Sequence, residues 1–258
     1  MKKKVELFWN ERAALRNLPS GEVTHKDVWQ RWLEIQTIGR YLRKSDRVLD
    51  VGCGNGFSTR MFSNLVREIV GIDFSEEMIS RAKEETEQVG LPGKAPTFYR
   101  LDVLDLSPSF LGYFTAVISA RCLINLANFE DQKRAMSNIA SVLKSGGRFI
   151  FVEGSAEGRM QLNEMRKRVN LPKMPTVWHN INFCERETLK FLQKNFVLEN
   201  RIYFGMYDFL SRVVHPLLVA PEEPIYDARI NEIAARLSSQ IGGFEALSRI
   251  LFLVLRKK

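Results

Sequence analysis

The chain has 258 residues, of which 45% are hydrophobic and 26% charged, and its formal net charge is +8. This length and apolar content suit one α/β domain with a sizeable core, whereas the strongly apolar runs, such as residues 250–255, are too short for a transmembrane helix. The start, MKKKVELFWNERA, has neither the apolar region nor the cleavage site of a signal peptide, so none is expected.

The positive charge is concentrated at the two ends of the chain. Six of the net eight charges lie in Lys2–Lys4 and Arg256–Lys258, which leaves only +2 for the rest. Solvated tails therefore explain the charge better than a nucleic-acid interface, although basic ends also attract anionic substrates, such as a phosphorylated sugar, over long range. Cys53, Cys122 and Cys184 form no C-x-x-C pair, which predicts a cytoplasmic protein without structural zinc.

Two helices are predicted before the first strand. Apolar spacing favours a short helix over 8–18, which Pro19 ends. Thr24 and Asp27 match the spacing of a capping box, and the apolar residues that follow predict an amphipathic helix over 26–43.

A strand, a glycine-rich turn and a helix follow. Residues 47–51 are a short apolar run typical of a buried parallel strand, and helical spacing of apolar residues begins at Phe57. Gly52, Gly54 and Gly56 give the turn a G-x-G-x-G pattern, which lacks the third glycine of the dinucleotide fingerprint G-x-G-x-x-G. We expect the turn to place bare backbone amides and a helix N-terminus against a ligand.

Three carboxylates are expected along one edge of the sheet. Asp50 lies in the first strand, and the apolar runs EIVGID and TFYRLD end in Asp73 and Asp102. Asp73 lies 21 residues after Gly52, where doubly wound nucleoside sites bind a ribose diol. An acid at a helix N-terminus is the alternative for Asp73, and a loop acid is the alternative for Asp102.

The rest of the chain alternates helices and strands and contains two long insertions. In chain order we expect a helix over 75–88, a strand over 114–119, a helix over 130–143, a strand over 148–153, a helix over 160–169 within an insertion, a helix over 185–193, a strand over 196–204, a helix over 227–239 within a second insertion, and a strand over 250–255. This βαβ alternation predicts an α/β fold with a parallel sheet, and long insertions after strands are usually functional.

Together, the segments VLDVGCGNG, GIDFS, RLDV and LKSGGRFIFVE, spread from Arg47 to Glu153, resemble the class I S-adenosylmethionine (SAM)-dependent methyltransferases. The resemblance implies a Rossmann-like, seven-stranded, mostly parallel sheet with N-terminal helices and two substrate-side insertions. It also implies that SAM lies over the first glycine turn and leaves as S-adenosylhomocysteine.

The resemblance assigns donor-binding roles by motif position. It places Asp73 on the ribose hydroxyls, and Arg121 near the SAM carboxylate or an anionic group of the substrate. The methionine part would face Asp50, Gly52, Cys53, Gly54 and Gly56; the adenine would contact Phe74, Met78, Asp102 and Val103; and Ala120 would lie beside the donor.

The same resemblance suggests a layout for a single domain. Residues 1–45 would form a helical lid or simply pack on the sheet, with Phe8, Trp9 and Arg12 as candidate lid residues. Residues 46–153 would bind SAM, the insertions 154–184 and 205–247 would form the substrate pocket, and 248–255 would be the last strand. RCLINL, LKSGG, WHN and FLSRVVHPLLVAPEEPIYDARINEIA further resemble bacterial methyltransferases of surface-polysaccharide and sugar-modifying pathways, which suggests a saccharide hydroxyl as acceptor.

Methylation of a hydroxyl requires removal of its proton, usually by a histidine or a carboxylate. His179 in the first insertion is the preferred base, with a hydrogen-bonding loop histidine as the alternative, and His215 ranks second. Glu153, at the end of the fifth strand, is a further candidate for the base or for substrate binding, whereas His25 is expected to be structural or part of the lid. The candidate substrate contacts are Arg121, Asn125, Trp178, Asn180 and Tyr207.

Several questions stay open at this level. No clear set of acids beyond those assigned to SAM suggests a metal, so none is expected. The alternatives to O-methylation are N- or C-methylation of a small metabolite, RNA methylation, and a SAM-binding subunit without activity. The sequence is compatible with a monomer or a homodimer.

Overall fold

Seven strands form one sheet in the computed structural model, which describes residues 2–91 and 93–258. The strands are β1 (Arg47–Val51), β2 (Glu68–Asp73), β3 (Thr97–Arg100), β4 (Phe114–Ala120), β5 (Leu143–Gly154), β6 (Phe196–Ile202) and β7 (Ile250–Lys257). Their order is β3-β2-β1-β4-β5-β7-β6. β7 runs antiparallel to its neighbours β5 and β6, whereas the other pairings between these strands are parallel. The predicted α/β fold with a seven-stranded, mostly parallel sheet is confirmed.

The order of the strands reverses beside β1. Leu49 of β1 pairs with Val70 of β2 on one side and with Val117 of β4 on the other, and both pairings are parallel. In open α/β sheets, ligands bind at such a switch point, outside the carboxyl ends of the strands. The turns after β1, β2 and β4 therefore lie where a ligand site is expected.

Helices cover both faces of the sheet. They are α1 (Lys2–Ala14), α2 (Val28–Gly39), α3 (Phe57–Ser63), α4 (Glu76–Val89), α5 (Pro108–Leu111), α6 (Phe129–Val142), α7 (Ala156–Arg168), α8 (Glu185–Leu192), α9 (Gly205–Phe209), α10 (His215–Val219) and α11 (Arg229–Gln240). Alternate residues of a strand point to opposite faces, so Leu49 packs in a core with α6 and α8, while Val48 packs with α2, α3 and α11.

The N-terminal helices differ from the predictions at their starts. α1 begins at Lys2, because ion pairs such as Lys2 with Asp102 hold a charged first turn that has no apolar pattern. The N-cap of α2 is Asp27 instead of Thr24, because the Asp27 carboxylate accepts the Gln30 backbone N–H at 3.0 Å. The predicted capping box is therefore wrong.

The second insertion contains more helix than the apolar pattern indicated. α9 continues through a π-helical turn, Leu210–Val214, into α10, and α11 follows after a loop. The last strand, β7, lies between β5 and β6 instead of at an edge. Within the described ranges, 2–91 and 93–258, no helix has both the length and the apolar character that crossing a membrane requires.

Candidate active site

The glycine turn after β1 is closely surrounded by other parts of the chain. Gly52 and Gly54 have positive φ values of +70° and +55°, which glycine adopts without a Cβ penalty. A Cβ atom on Gly52 would lie 2.3 Å from Cys122 Sγ, and one on Gly54 would lie 2.7 Å from Thr24 Cγ2. The turn therefore needs glycine both for its backbone conformation and for the close approach of its neighbours.

The amides of this turn are already bonded within the protein. Gly52 and Cys53 donate their N–H groups to the carbonyl of Ile72, at 2.8 and 3.0 Å, and Gly54 donates to Asp73 Oδ2 at 3.0 Å. The expectation of bare amides is wrong at these positions, because the end of the neighbouring strand β2 supplies acceptors. A turn with its N–H groups occupied is poorly suited to cradle a phosphate.

Two buried carboxylates flank the turn. Asp73 accepts a second hydrogen bond from the Ser75 backbone N–H at 2.9 Å, and Asp50 accepts one from Thr59 Oγ1 at 2.6 Å. Burial raises the pKa of both carboxyl groups to about 6, although these hydrogen bonds oppose the shift. A cationic ligand in this place would relieve the cost of burying two negative charges.

These carboxylates line what we call the glycine-turn pocket, at the carboxyl ends of β1, β2 and β4. Among the predicted donor-binding residues it is lined by Asp50, Gly52, Cys53, Gly54, Asp73, Phe74, Met78, Ala120 and Arg121. Gly56 is not among its lining residues: it caps α3, and a Cβ atom there would lie 2.7 Å from Phe98 Cζ. Gly56 therefore allows the turn to pack closely on β3.

An apolar pocket continues from the glycine-turn pocket toward β3. It shares Asp73 and Phe74 with that pocket, and Asp102 and Val103 also line it. Asp102 Oδ1 accepts the Leu104 backbone N–H at 2.9 Å, while Oδ2 pairs with Lys2 Nζ at 2.7 Å. Asp102 is thus held by a turn on one side and by α1 on the other.

A larger space, which we call the outer cavity, adjoins the glycine-turn pocket on the side of the insertions. It spans about 1490 Å³, part of which is open to solvent, and its walls come from α1, the start of α2, residues 154–182, Arg212 and Arg249. The residues that line both spaces are Trp9, Thr24, Arg121 and Asn125. Trp9 Nε1 donates to Asn125 Oδ1 at 3.3 Å, and Asn125 also lines the apolar pocket, so it stands where the three spaces meet.

His179 lines the outer cavity among aromatic rings. Its ring centroid lies 4.7 Å from that of Phe8, 5.4 Å from that of Trp9 and 5.0 Å from that of Trp178. Its Nδ1 is buried and has no hydrogen-bond partner among the described residues, and burial lowers the pKa of the ring. Asn180 lines the same cavity, whereas Trp178 is 47% exposed and only flanks it.

Two other predicted residues do not line any of these three spaces. His215 is buried, and its Nδ1 contacts Asn231 Oδ1 at 3.2 Å. Tyr207 is fully buried and donates its hydroxyl to Asp27. Both residues belong to the helical segment 205–219, where they are buried by packing. The predicted roles of His215 as a base and of Tyr207 as a substrate contact are therefore not supported.

Glu153 also lies behind the site rather than within it. Its side chain is fully buried, and its carboxylate accepts hydrogen bonds from Ser119 Oγ at 2.5 Å and from the backbone N–H groups of Leu123 and Ile124 at 3.0 and 3.2 Å. Burial raises the pKa of Glu153 to about 7, against the effect of these donors. Glu153 thereby holds the turn that carries Arg121.

Sequence reasoning missed the polar residues of α2. Arg31 and Glu34 line the glycine-turn pocket, and Asp27 and Gln30 line the outer cavity. These four positions follow a spacing of i, i+3, i+4 and i+7, so they form one stripe on a helix that is otherwise largely apolar. Polar residues at this spacing, on a helix expected to pack against a sheet, are the sequence pattern that could have predicted these pocket residues.

The residues of the two inner pockets suit the donor that the resemblance implies. In the glycine-turn pocket, the Asp50 carboxylate suits the ammonium of a methionine moiety and Asp73 suits a ribose diol, while the guanidinium groups of Arg31 and Arg121 suit the carboxylate of that moiety. The apolar pocket, with Asp102 at its wall, matches an adenine ring. The side chains present therefore fit SAM.

Comparisons with known proteins point to the same region. The family described as "Methyltransferase domain" matches residues 48–147. Phosphatidylethanolamine N-methyltransferase of Cereibacter sphaeroides is 30% identical over 145 residues, which make up 56% of this chain and 68% of that protein. The ubiquinone/menaquinone biosynthesis C-methyltransferase UbiE of Proteus mirabilis is 30% identical over 131 residues, 50% of this chain and 49% of the relative, so this chain spans about half of its length.

A solved structure supports the fold. Magnesium protoporphyrin IX methyltransferase of Synechocystis, with bound SAM, has a TM-score of 0.63 and 16% identity over 100% of this chain and 97% of that one. At this identity the likeness concerns the fold alone. The family match ends at residue 147, so it includes the glycine turn and leaves the first and second insertions outside.

Proposed function

The chain belongs to the class I SAM-dependent methyltransferases, and from this premise we propose that it methylates a hydroxyl group of a small polar acceptor, preferably a saccharide. The acceptor lies in the outer cavity, and SAM lies in the two inner pockets. The observation that carries this proposal is the place of His179, which lines a cavity that adjoins the glycine-turn pocket and whose Nδ1 has no hydrogen-bond partner among the described residues.

Binding of SAM uses the residues that line the inner pockets. Asp73 would hold the ribose hydroxyls, Phe74 and Met78 would pack on the adenine, and Asp102 together with the Val103 amide would bind its amino edge. Asp50, Gly52, Cys53, Gly54 and Ala120 would surround the methionine part, and Arg31 and Arg121 would bind its carboxylate. SAM, when bound, supplies an electrophilic methyl group on a cationic sulfur, so the protein contributes mainly proximity and orientation.

His179 acts as the general base. Burial lowers its pKa, so the ring is neutral near pH 7 and has a lone pair available to take up the proton that the acceptor hydroxyl loses. Asn125 and Asn180 orient the acceptor through amide groups, which both donate and accept hydrogen bonds. Glu153 positions the turn behind Arg121 and does not touch the acceptor.

N-methylation is the second candidate, because the Cereibacter relative is named as an N-methyltransferase. An amine with a free lone pair needs no strong base, whereas a hydroxyl does. The two reactions therefore differ in their need for His179. We propose that neither reaction uses a metal, and the comparison with and without EDTA in the assay below tests this.

A turnover assay tests this function. The protein is incubated with labelled SAM and separate panels of saccharides, nucleotide-sugars, amines and bulk RNA, in the presence and absence of EDTA, and S-adenosylhomocysteine is measured. We expect turnover with a hydroxyl acceptor, unchanged by EDTA, and a loss of about a hundredfold or more in kcat for His179→Ala. SAM affinity, measured by calorimetry, should be unchanged in this variant.

Other results would reject parts of the proposal. Turnover of an amine that survives His179→Ala establishes N-methylation instead, and turnover of RNA alone makes the protein a nucleic-acid enzyme. SAM binding without turnover of any acceptor makes it a binding subunit.

The cytoplasm is the proposed compartment, since all three cysteines are free thiols.

A further inference from the structure

Positive charge predominates in the outer cavity. Its walls include six cationic side chains and one carboxylate, Asp27; the cations are Arg12, Lys26, Arg121, Arg159, Arg212 and Arg249. Both histidines of the cavity, His25 and His179, have lowered pKa values and are neutral near pH 7. A cavity with this excess of one sign attracts ligands of the other sign.

Three of these cations are already paired. Arg212 contacts Asp27, Arg249 Nε lies 2.7 Å from Asp208 Oδ1, and Arg121 Nη2 lies 3.4 Å from Glu34 Oε2. These pairs are internal and neutral overall, so they do not call for a ligand.

The other three cations, Arg12, Lys26 and Arg159, have no carboxylate within 4.0 Å among the residues that the structure describes. Arg12 donates to the carbonyls of Glu22 and Val23. Lys26 is exposed at the mouth and makes no hydrogen bond with the described part of the chain. These three side chains carry the excess positive charge.

Arg159 is held in place with donors to spare. It lies in the first turn of α7, and its Nη2 donates to the carbonyls of Met174 and Pro175 at 2.9 and 2.6 Å. Its Nε and Nη1 have no acceptor among the described residues. Burial, and after it the neighbouring Arg249, lower the pKa of Arg159.

His25 lines the same cavity and holds the guanidinium of Arg121 on its wall. Its Nε2 contacts Arg121 Nη1, and because a guanidinium only donates, Nε2 must accept. The neutral ring therefore carries its hydrogen on Nδ1, which is buried and lacks a partner in the described ranges. The donors that face an anion are therefore the Nε and Nη1 groups of Arg159 and the ammonium of Lys26, whose positive charges also repel a protonated amine.

We infer that the acceptor carries an anionic group, a phosphate or a carboxylate, which binds Arg159 and Lys26 in the outer cavity while its hydroxyl faces His179. This inference rests on the proposed function and specifies its substrate class.

Calorimetry on the full chain saturated with S-adenosylhomocysteine tests the inference. The probes are glucose, glucose 6-phosphate, glucuronate and inorganic phosphate, each at constant ionic strength set with NaCl. We expect inorganic phosphate to bind, and at least one of the two anionic sugars to bind as well. The dissociation constant of that anionic sugar should be about tenfold or more lower than that of glucose. Which anionic sugar binds more tightly distinguishes phosphate from carboxylate.

Matched variants locate the anion. Arg159→Gln should weaken the binding of the anions about tenfold and leave glucose unchanged. Lys26→Gln should act in the same direction by a few-fold, and it tests the cavity without disturbing the bonds from Arg159 to the 174–175 segment. Arg168→Gln, which removes the same charge from an exposed position of α7 outside the cavity, should have no effect. Thermal unfolding of each variant checks that it is folded.

The outcomes separate this inference from the proposed function. Failure of every anion to bind, anion binding equal in all three variants, or glucose binding as tight as that of its phosphate overturns the inference. Neutral acceptors that turn over while anions fail to bind leave the proposed function standing. Anions that bind at Arg159 in a protein that methylates nothing leave the site standing and overturn the function.

Discussion

The glycine-turn pocket and the outer cavity adjoin each other, but the chain builds them in different ways. The glycine-turn pocket takes most of its lining from the ends of β1, β2 and β4 and the turns that follow them, all between residues 50 and 125. The outer cavity combines α1 with residues 154–182, Arg212 and Arg249. Short motifs therefore reveal the first space, whereas the second exists only once distant segments have come together.

The two spaces also differ in their charge. Three carboxylates, among them Asp50 and Asp73, and two guanidinium groups line the glycine-turn pocket, while six cations and one carboxylate line the outer cavity. A cationic methyl donor and an anionic acceptor would each find the complementary sign in their own space. Two spaces of opposite sign thus help to keep each ligand out of the wrong place.

The largest expected effect is a loss of SAM affinity caused by a substitution in the glycine turn. Gly52→Ala places a Cβ atom 2.3 Å from Cys122 Sγ at a φ of +70°, so the turn must move. We expect SAM affinity to fall by about a hundredfold or more in calorimetry, and anion binding in the outer cavity to persist. Gly242→Ala is the control, because a Cβ atom there meets nothing within 4 Å. Normal SAM binding by Gly52→Ala would show that the turn does not hold the donor.

A smaller effect should appear when pH changes the charge of the donor side. Asp50 and Asp73 have pKa values raised to about 6, so both are ionised above that pH and protonated below it. A protonated carboxyl group loses its attraction for the cationic ligand, so SAM affinity should fall about tenfold between pH 7 and pH 5. Calorimetry over this range measures it, and Asp73→Asn should bind more weakly with a flatter profile. An affinity that is constant or higher at pH 5 would show that Asp50 and Asp73 do not attract the donor as ionised carboxylates.

The smallest effect concerns Glu153, which supports the turn between the two spaces. Its pKa is raised to about 7 from 4.5, so the folded protein binds a proton that the unfolded chain releases, and this contribution to stability is lost as pH rises from about 4.5 to about 7. In Glu153→Gln the amide nitrogen cannot accept a hydrogen bond, which costs about 1–3 kcal/mol at pH 5. The difference in the free energy of unfolding between this variant and the wild type should become smaller toward pH 7.

Urea unfolding at several pH values measures this difference. Glu130→Gln serves as the control, because Glu130 lies on the surface with a side-chain exposure of 81%. A stability difference that widens with pH would mean that Glu153 is ionised throughout and stabilises the fold as a carboxylate.

Prediction from sequence succeeded where local chemistry decides position. Asp73 follows an apolar strand directly, and a parallel neighbour brings that strand end to β1, so its place beside the glycine turn could be expected. Histidines were harder to rank, because His179 and His215 both lie in insertions with no regular pattern. Only packing separates them, since His179 lines a cavity and His215 contacts Asn231 in a buried helical segment.

The sequence by itself determined the α/β fold, the strand-turn-helix unit around Gly52 and the family to which the chain belongs. These features depend on apolar periodicity and on residues close together in the chain. The tertiary structure decided that the turn amides are bonded to Ile72 and Asp73 and that Arg31 and Glu34 line the inner pocket. It also decided that Arg159 lines the outer cavity with no carboxylate within 4.0 Å in the described part of the chain. Such facts depend on contacts between segments far apart in sequence, which hydrophobic patterning does not encode.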